Sequence, residues 1–206
     1  MAQDDWYRNA VWNAEIEETF RQRLRRARKK SEYLRIQASY LAETDPTVAL
    51  GLLEQYFGLG EHVDITQAYV DKARALVALN DCGGALASYE AALERERQRP
   101  SLKTQAYLDF PCLVIEAKME PMYARALDVL TANQDRPMFP VDRFRAHGAR
   151  ALLLHHFDRK EEARADATLA LAAAQETQSG FRYHQNLGLV RSANDEFATR
   201  VAALAA

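Results

Sequence analysis

Cysteine is nearly absent: the 206 residues include only Cys82 and Cys112. That argues against a disulfide framework and suits a reducing cytoplasm. Proline and glycine are scarce, at six and eight residues, and they read as punctuation between helical stretches. Neither sign of charge dominates. Lys and Arg total 27 against 29 Asp and Glu, a net charge of −2, unlike the basic balance of a nucleic-acid binder. No apolar run approaches the ~20 residues that a membrane helix requires. Met1 to Asn13 is polar and acidic, without the basic start and apolar run of a signal peptide. The expected location is the cytoplasm, with no membrane association.

Chemical motifs are missing as well. There is no phosphate-cradling glycine loop, nucleophile elbow or zinc-protease helix. The five histidines, His62, His147, His155, His156 and His184, include no His-x-x-x-His pair. Neighbouring His155 and His156 point about 100° apart on a helix and cannot easily share an ion. Cys82 and Cys112 have no activating partner in the sequence and read as small buried hydrophobes. No catalytic, cofactor or metal residue is therefore assigned, and the chain is read as not an enzyme.

What is present is helical and repetitive. Apolar residues make up 48% and charged residues 27%, enough for a globular core. Asn13 reads as an N-cap, with Glu15, Glu17 and Glu18 placed well for the helix dipole. Ile16, Phe20, Leu24, Ala27, Leu34, Ala38 and Leu41 follow helical spacing. No Gly or Pro interrupts Glu15 to Asp45, so one long helix, kinked near Ser31, is expected. Asp45-Pro46 restarts the chain. Ala49, Ala85, Ala124 and Ala163 then recur at separations of 36, 39 and 39 residues. Each follows a helical stretch and a break, and each opens a second helix: Thr47 to Phe57, Gly84 to Arg97, Met122 to Leu130 and Glu161 to Ala174. A period of this length built from two helices is the signature of a helical solenoid.

The clearest unit has Asp64 capping a helix through Leu79, then a turn at Asn80-Asp81-Cys82-Gly83-Gly84. In the return helix Ala85 and Ala92 allow close approach and Tyr89 fills the space between helices. Pro100 lies beyond. This unit resembles a tetratricopeptide repeat, with a small residue opening the second helix, an aromatic four later and an alanine three after that. In the fourth unit His147 to Phe157 is the first helix, Asp158-Arg159-Lys160-Glu161 a capping box, and Ala167 replaces the aromatic. In the first unit Leu53 replaces the aromatic and Tyr56 the later alanine. The third unit diverges most, because Pro111 falls within its first helix and is expected to kink or break it. Glu120-Pro121 restarts that unit.

The resemblance covers roughly residues 31–175 and implies an all-α, right-handed superhelix of about four helical hairpins. Residues 1–30 form an N-terminal segment with a basic helix. Residues 176–206 form an irregular segment, Ser179 to Val190, and a capping helix, Asn194 to Leu204, within one repeat domain spanning 1–206. The family's groove positions carry over to Gln67, Val70 and Arg74, to Asp109, Leu113 and Glu116, and to Arg145, Leu152, His155 and His156. Partner-binding candidates are thus Gln67, Arg74, Asp109, Glu116, Arg145, His155 and His156, a mixed-charge groove suited to a protein or peptide. The resemblance implies a non-catalytic binding module, such as an adaptor or a cognate inhibitor of an effector.

Two other readings stay open. Phe20, Ala27, Leu34 and Leu41 approximate heptads that a second copy could cover, giving a self-associating protein. An enzyme would need His155 or His184 to meet arginines and carboxylates. The basic run Arg21, Arg23, Arg25, Arg26, Arg28, Lys29 and Lys30 reads first as a solvated helix face, next as a surface for an acidic protein. Nucleic acid comes last, since no aromatic platform is interleaved. Phe181, Arg182, Tyr183 and His184 form a distinctive cluster that suits either a hot spot or a structural cap. Trp6, Tyr7 and Trp12 are expected to pack the N-terminal segment onto the array.

Overall fold

The computed structural model describes residues 5–191 and 195–206. Among them are ten α-helices, one short 3₁₀ turn and no strand. The chain divides into two compact units, Met1–Ala106 and Tyr107–Ala206.

The first unit begins with α1 (Ala14–Arg26), whose Asn13 cap accepts the Ile16 N–H at 2.9 Å. The single long helix expected over Glu15 to Asp45 is instead two. Ala27 is extended (φ −74°, ψ 139°), and α2 (Lys30–Leu41) starts after it. No Gly or Pro marks this break. What the sequence does hold there is a run of like charges, Arg25, Arg26, Arg28, Lys29 and Lys30. Such neighbours repel, and cations at a helix N-terminus also oppose the dipole.

Four residues connect α2 to α3 (Pro46–Gly58), with Pro46 in its first turn. Next come α4 (Ile65–Ala78) and α5 (Cys82–Gln98). Gly83 and Gly84 belong to the first turn of α5, where Asp81 Oδ1 accepts the Gly84 N–H at 2.9 Å. The helices pair as hairpins α2–α3 and α4–α5, and α4 packs against both α3 and α2. The core of this unit holds Phe20, Leu34, Leu41, Ala49, Leu52 and Tyr56. Each large apolar side chain there contributes ~1.5–3 kcal/mol by burial. Ala85, Ala92 and Tyr89 are buried. Trp6 and Trp12 lie 5.3 and 5.5 Å from the Phe20 ring. The buried Gln37 carboxamide accepts from Asn9 N and Nδ2 and donates to Asn9 O at 2.8 Å, which ties the N-terminal segment to α2. Phe20, Leu34 and Leu41 are therefore covered by their own unit, and Ala27 lies in the break. The heptad-like stripe is not a free face.

The second unit contains α6 (Ala106–Glu116), a 3₁₀ turn at Glu120–Met122, α7 (Tyr123–Ala132), α8 (Pro140–His156), α9 (Lys160–Ala174) and α10 (Glu196–Ala205). Of the kink or break expected at Pro111, the break does not occur: α6 runs through it. In α7 Ala124 is exposed and Ala126 is the fully buried small residue, so the alanine interval read from the sequence does not mark a buried position there. The helix expected from His147 starts at Pro140, since Phe139-Pro140 supplies the start signal. No capping box opens α9. Its cap residue is Arg159, without a side-chain cap, while Asp158 adopts a left-handed φ of 58°. Arg159 instead pairs with Glu162 at 2.6 and 2.7 Å.

The hairpin α8–α9 is covered by α10, whose Ala198 and Val201 join Phe144, Ala151, Ala167 and Ala170 in a core cluster. Gly148 is not punctuation. It sits inside α8, where a Cβ would meet Phe197 Cζ at 2.8 Å. Residues 179–190 contain turns and no helix, as expected. Val141 N–H donates to Gly188 O at 2.8 Å, and Phe181 stacks on Phe139 at 5.1 Å. Phe181 is thus structural, while Tyr183 points outward at 82% exposure. Asn194, the expected start of the last helix, lies outside the described residues, and Asp195 caps α10 through Ala198 N at 2.8 Å.

Candidate functional site: an apolar groove on the first unit

On α3, the positions buried in the core are Ala49, Leu52, Leu53 and Tyr56. That spacing turns Leu50 and Phe57, seven residues apart, to one neighbouring side. There they face Ile65, Tyr69 and Leu76 of α4 across a groove of about 680 Å³. Phe57 and Tyr69 contact each other, with ring centroids 5.0 Å apart. Charged groups complete the lining. The Lys72 ammonium sits 5.8 Å from the Phe57 ring centre, Glu54 is exposed on α3, and Glu61 pairs with Arg95 at 2.5 Å. This volume lies within the range of ligand sites, and a mainly apolar floor with a few charged groups is the common design of a recognition groove.

A buried polar network holds the groove's walls. Arg35 of α2 reaches Asp64 at 2.7 Å and Asp71 at 3.2 Å. The Tyr56 hydroxyl donates to Asp64 at 2.6 Å, and Gln67 Nε2 donates to Asp71 at 3.0 Å. Asp64 was expected to cap α4, but its carboxylate is engaged with α2 and α3 and makes no cap bond. Burial pushes the Asp71 carboxyl above its ordinary range, with Gln67 and Arg35 opposing. Burial also acts on Asp64, but the hydrogen bonds from Tyr56 and Arg35 prevail and hold it below that range. Burial and the Asp64 carboxylate together push the Tyr56 hydroxyl well up. Because α4 is tied to Arg35 directly and α3 through the Tyr56–Asp64 bond, their spacing is fixed by a paired and hydrogen-bonded ion cluster, the condition under which buried charge is tolerated.

The sequence-derived candidates divide between the units. In the first, Gln67 is committed to Asp71, Val70 is buried, and Arg74 is an exposed residue paired with Glu43 at 2.7 Å. In the second, Arg145 bonds Asp109 at 2.9 Å. Arg145 and Glu116 line a cavity of about 200 Å³ together with Cys112, Phe144, Arg191 and Asp195. Burial pushes the Cys112 thiol up to about 11, with Arg145 opposing. Burial raises the Glu116 carboxyl too, again opposed by Arg145. Leu113 is buried. His155 and His156 are exposed at the far end of α8, ten residues and so ~15 Å along the helix from Arg145. There His156 meets the Tyr123 ring edge-on at 4.7 Å.

One cluster escapes a reading of the sequence. Asp166, buried on α9, receives His147 Nδ1 at 2.8 Å and Arg150 Nε at 2.7 Å. The available signal was a His and an Arg three apart on α8, facing a single Asp in an alanine-rich helix. The adjoining cavity measures about 20 Å³, room for one water and not for a substrate. Among the described residues no group of three or more His, Cys, Asp or Glu could hold a metal ion. No helix among them is long and apolar enough to cross a membrane.

No protein-family model matches the chain, and no curated protein matches it either. The likeness to tetratricopeptide repeats rests on the residues quoted above.

Proposed function

We propose that this chain is a non-catalytic module that holds a protein or peptide, and that the α3–α4 groove of the first unit is the main point of attachment. Its helical hairpins would be repeats of the tetratricopeptide kind, stacked right-handed, and its role that of an adaptor or of a cognate inhibitor of an effector. One observation carries the reading: about 680 Å³ of mainly apolar concavity whose walls are fixed by the Arg35 network. Groove recognition uses a few apolar anchors seated in a preformed site. Phe57, Tyr69 and Leu50 are suited to receive them.

The test is affinity capture from a lysate of the source cell, with wild type and Leu50→Asp compared side by side. Leu50 is half-buried, lining the groove and packed against the core, so a charge there blocks an apolar anchor, and circular dichroism must show the variant folded before capture is compared. A stoichiometric protein retained by wild type and lost by the variant supports the groove. A partner held equally by both removes it, and a co-purified metabolite without any protein partner redirects attention to the cavity beside Arg145.

A further inference from the structure

The break between α1 and α2 gathers cations, two of which the fold itself does not pair. Arg21 and Arg25 from α1 and Lys30 from α2 line a second concavity, about 260 Å³, closed by Leu24 and by Gln55 of α3. Arg21 pairs with Glu17; neither Arg25 nor Lys30 has an ion-pair partner among the described residues. Cations also stand at the N-terminus of α2, where the dipole favours anions, and no side chain caps that end. Glu32 in the first turn of α2 pairs with Lys29, which offsets part of that charge and leaves Arg25 and Lys30 without an ion-pair partner among the described residues.

This cleft and the apolar groove lie on two sides of the same helix. Taking 100° per residue from Leu50, Glu54 falls at about 40°, Gly58 at about 80°, Gly51 at about 100° and Gln55 at about 140°. Glu54 lines the groove and Gln55 the cleft. The strip between them is therefore floored by two glycines, and a Cβ at either would meet nothing within 4 Å. Nothing in the fold requires glycine at Gly51, but a partner backbone laid across α3 would benefit from the bare surface.

Resting on the groove reading above, we infer that the bound segment belongs to a partner protein and is extended and acidic at one end. Its carboxylates enter the Arg21–Arg25–Lys30 cleft, its backbone crosses α3 over Gly51 and Gly58, and its apolar residues enter the groove. The groove sets Glu54 and Glu61 against one Lys72, whereas the cleft is lined by three cations and no carboxylate, which fixes the direction of crossing. The arc over α3 is ~9 Å for a helix of this diameter, or about three extended residues between acid and anchor. Peptide is favoured over nucleic acid because no aromatic ring lines the cleft to stack a base.

The probe is the amidated peptide Glu-Asp-Glu-Gly-Ser-Gly-Leu-Phe-Leu, with a Gln-Asn-Gln counterpart, titrated into isotope-labelled protein and followed by amide shifts. Amides near residues 25–32 and 50–60 should move together with the acidic peptide. Arg25→Glu/Lys30→Glu, at exposed positions, should weaken that peptide at least tenfold and leave the neutral one unchanged, as should raised salt. Gly51→Glu should weaken both. If acidic and neutral peptides bind alike and charge reversal changes nothing, the acidic-partner inference is overturned while the groove survives. If neither peptide binds, the groove reading falls as well. An oligothymidylate that binds the cleft more tightly than the acidic peptide also overturns the inference.

Discussion

Arg35 Nη1 lies 3.2 Å from Asp71 Oδ2, and that carboxylate keeps only 1% of its exposure. The pair joins α2 to α4 beneath the groove, while Arg35 Nε holds Asp64 at 2.7 Å. A cation serving two carboxylates, one of them fully buried, is a fixed structural element. Removing it leaves charge buried without a partner.

Arg35→Met is expected to destabilise the first unit by about 3–5 kcal/mol at pH 7. The sign of its pH dependence follows from Asp71. Burial already raises that carboxyl, and Arg35 is one of the groups restraining it, so the variant's folded state takes up a proton at higher pH than the unfolded chain. Its stability then rises as pH falls from 7 towards the unfolded carboxylate range near 4. Urea denaturation should show a smaller gap between variant and wild type at pH 4.5 than at pH 7. An equal gap at both would mean that Asp71 is not the stranded charge.

Two helix-interior glycines should respond in opposite directions. Gly51→Ala adds a methyl into open space and should raise stability by up to about 1 kcal/mol through helix propensity and a less flexible unfolded chain. Gly148→Ala drives a methyl to 2.8 Å from Phe197 and should lower stability by about 1–3 kcal/mol. Thermal melts of the two variants check both signs.

Such contrasts show which features the sequence could reveal. Asn13 and Pro46 are local signals, and each stands at the helix start it indicated, whereas Asp81, read as part of a turn, caps a helix that begins at Cys82. The end of α1 carries no breaker, only repulsion among cations and an extended Ala27, so periodicity ran across it. Ala124 has the right residue type at the right interval, but the 3₁₀ turn ahead of α7 shifts the buried position to Ala126. Asp64 looks like a cap from its neighbours along the chain, yet Tyr56 and Arg35 claim it, eight and 29 residues away. The groove was hidden for the same reason. Leu50, Phe57, Tyr69 and Leu76 are ordinary apolar helix positions until α3 and α4 are set side by side.

The two thiols should separate chemically. Cys112 is buried, and its burial lifts the thiol to about 11, which leaves ~0.1% thiolate at pH 8. Cys82 is partly accessible. Brief treatment of native protein with an aromatic disulfide at pH 8 should release one equivalent of thiolate, with the label at Cys82 by peptide mapping. Two equivalents should appear in denaturant. Fast labelling of Cys112 in the native state would show that the second unit opens readily.

Tyr56→Phe isolates the other half of the network. The hydroxyl is fully buried and donates to Asp64 at 2.6 Å, a charge-assisted bond whose loss is expected to lower stability by about 1.5–3 kcal/mol at pH 7. Burial works against ionised Asp64, while Tyr56 and Arg35 together hold its carboxyl low. A carboxyl held low contributes stability that is present above the unfolded value and lost as pH falls through the folded one. Without the hydroxyl Asp64 titrates at higher pH and contributes less, so the difference between wild type and variant should shrink on acidification below pH 4. The pH profile thus separates Tyr56→Phe from a simple packing defect, whose penalty would be the same at every pH, and assigns the loss to the Tyr56–Asp64 bond.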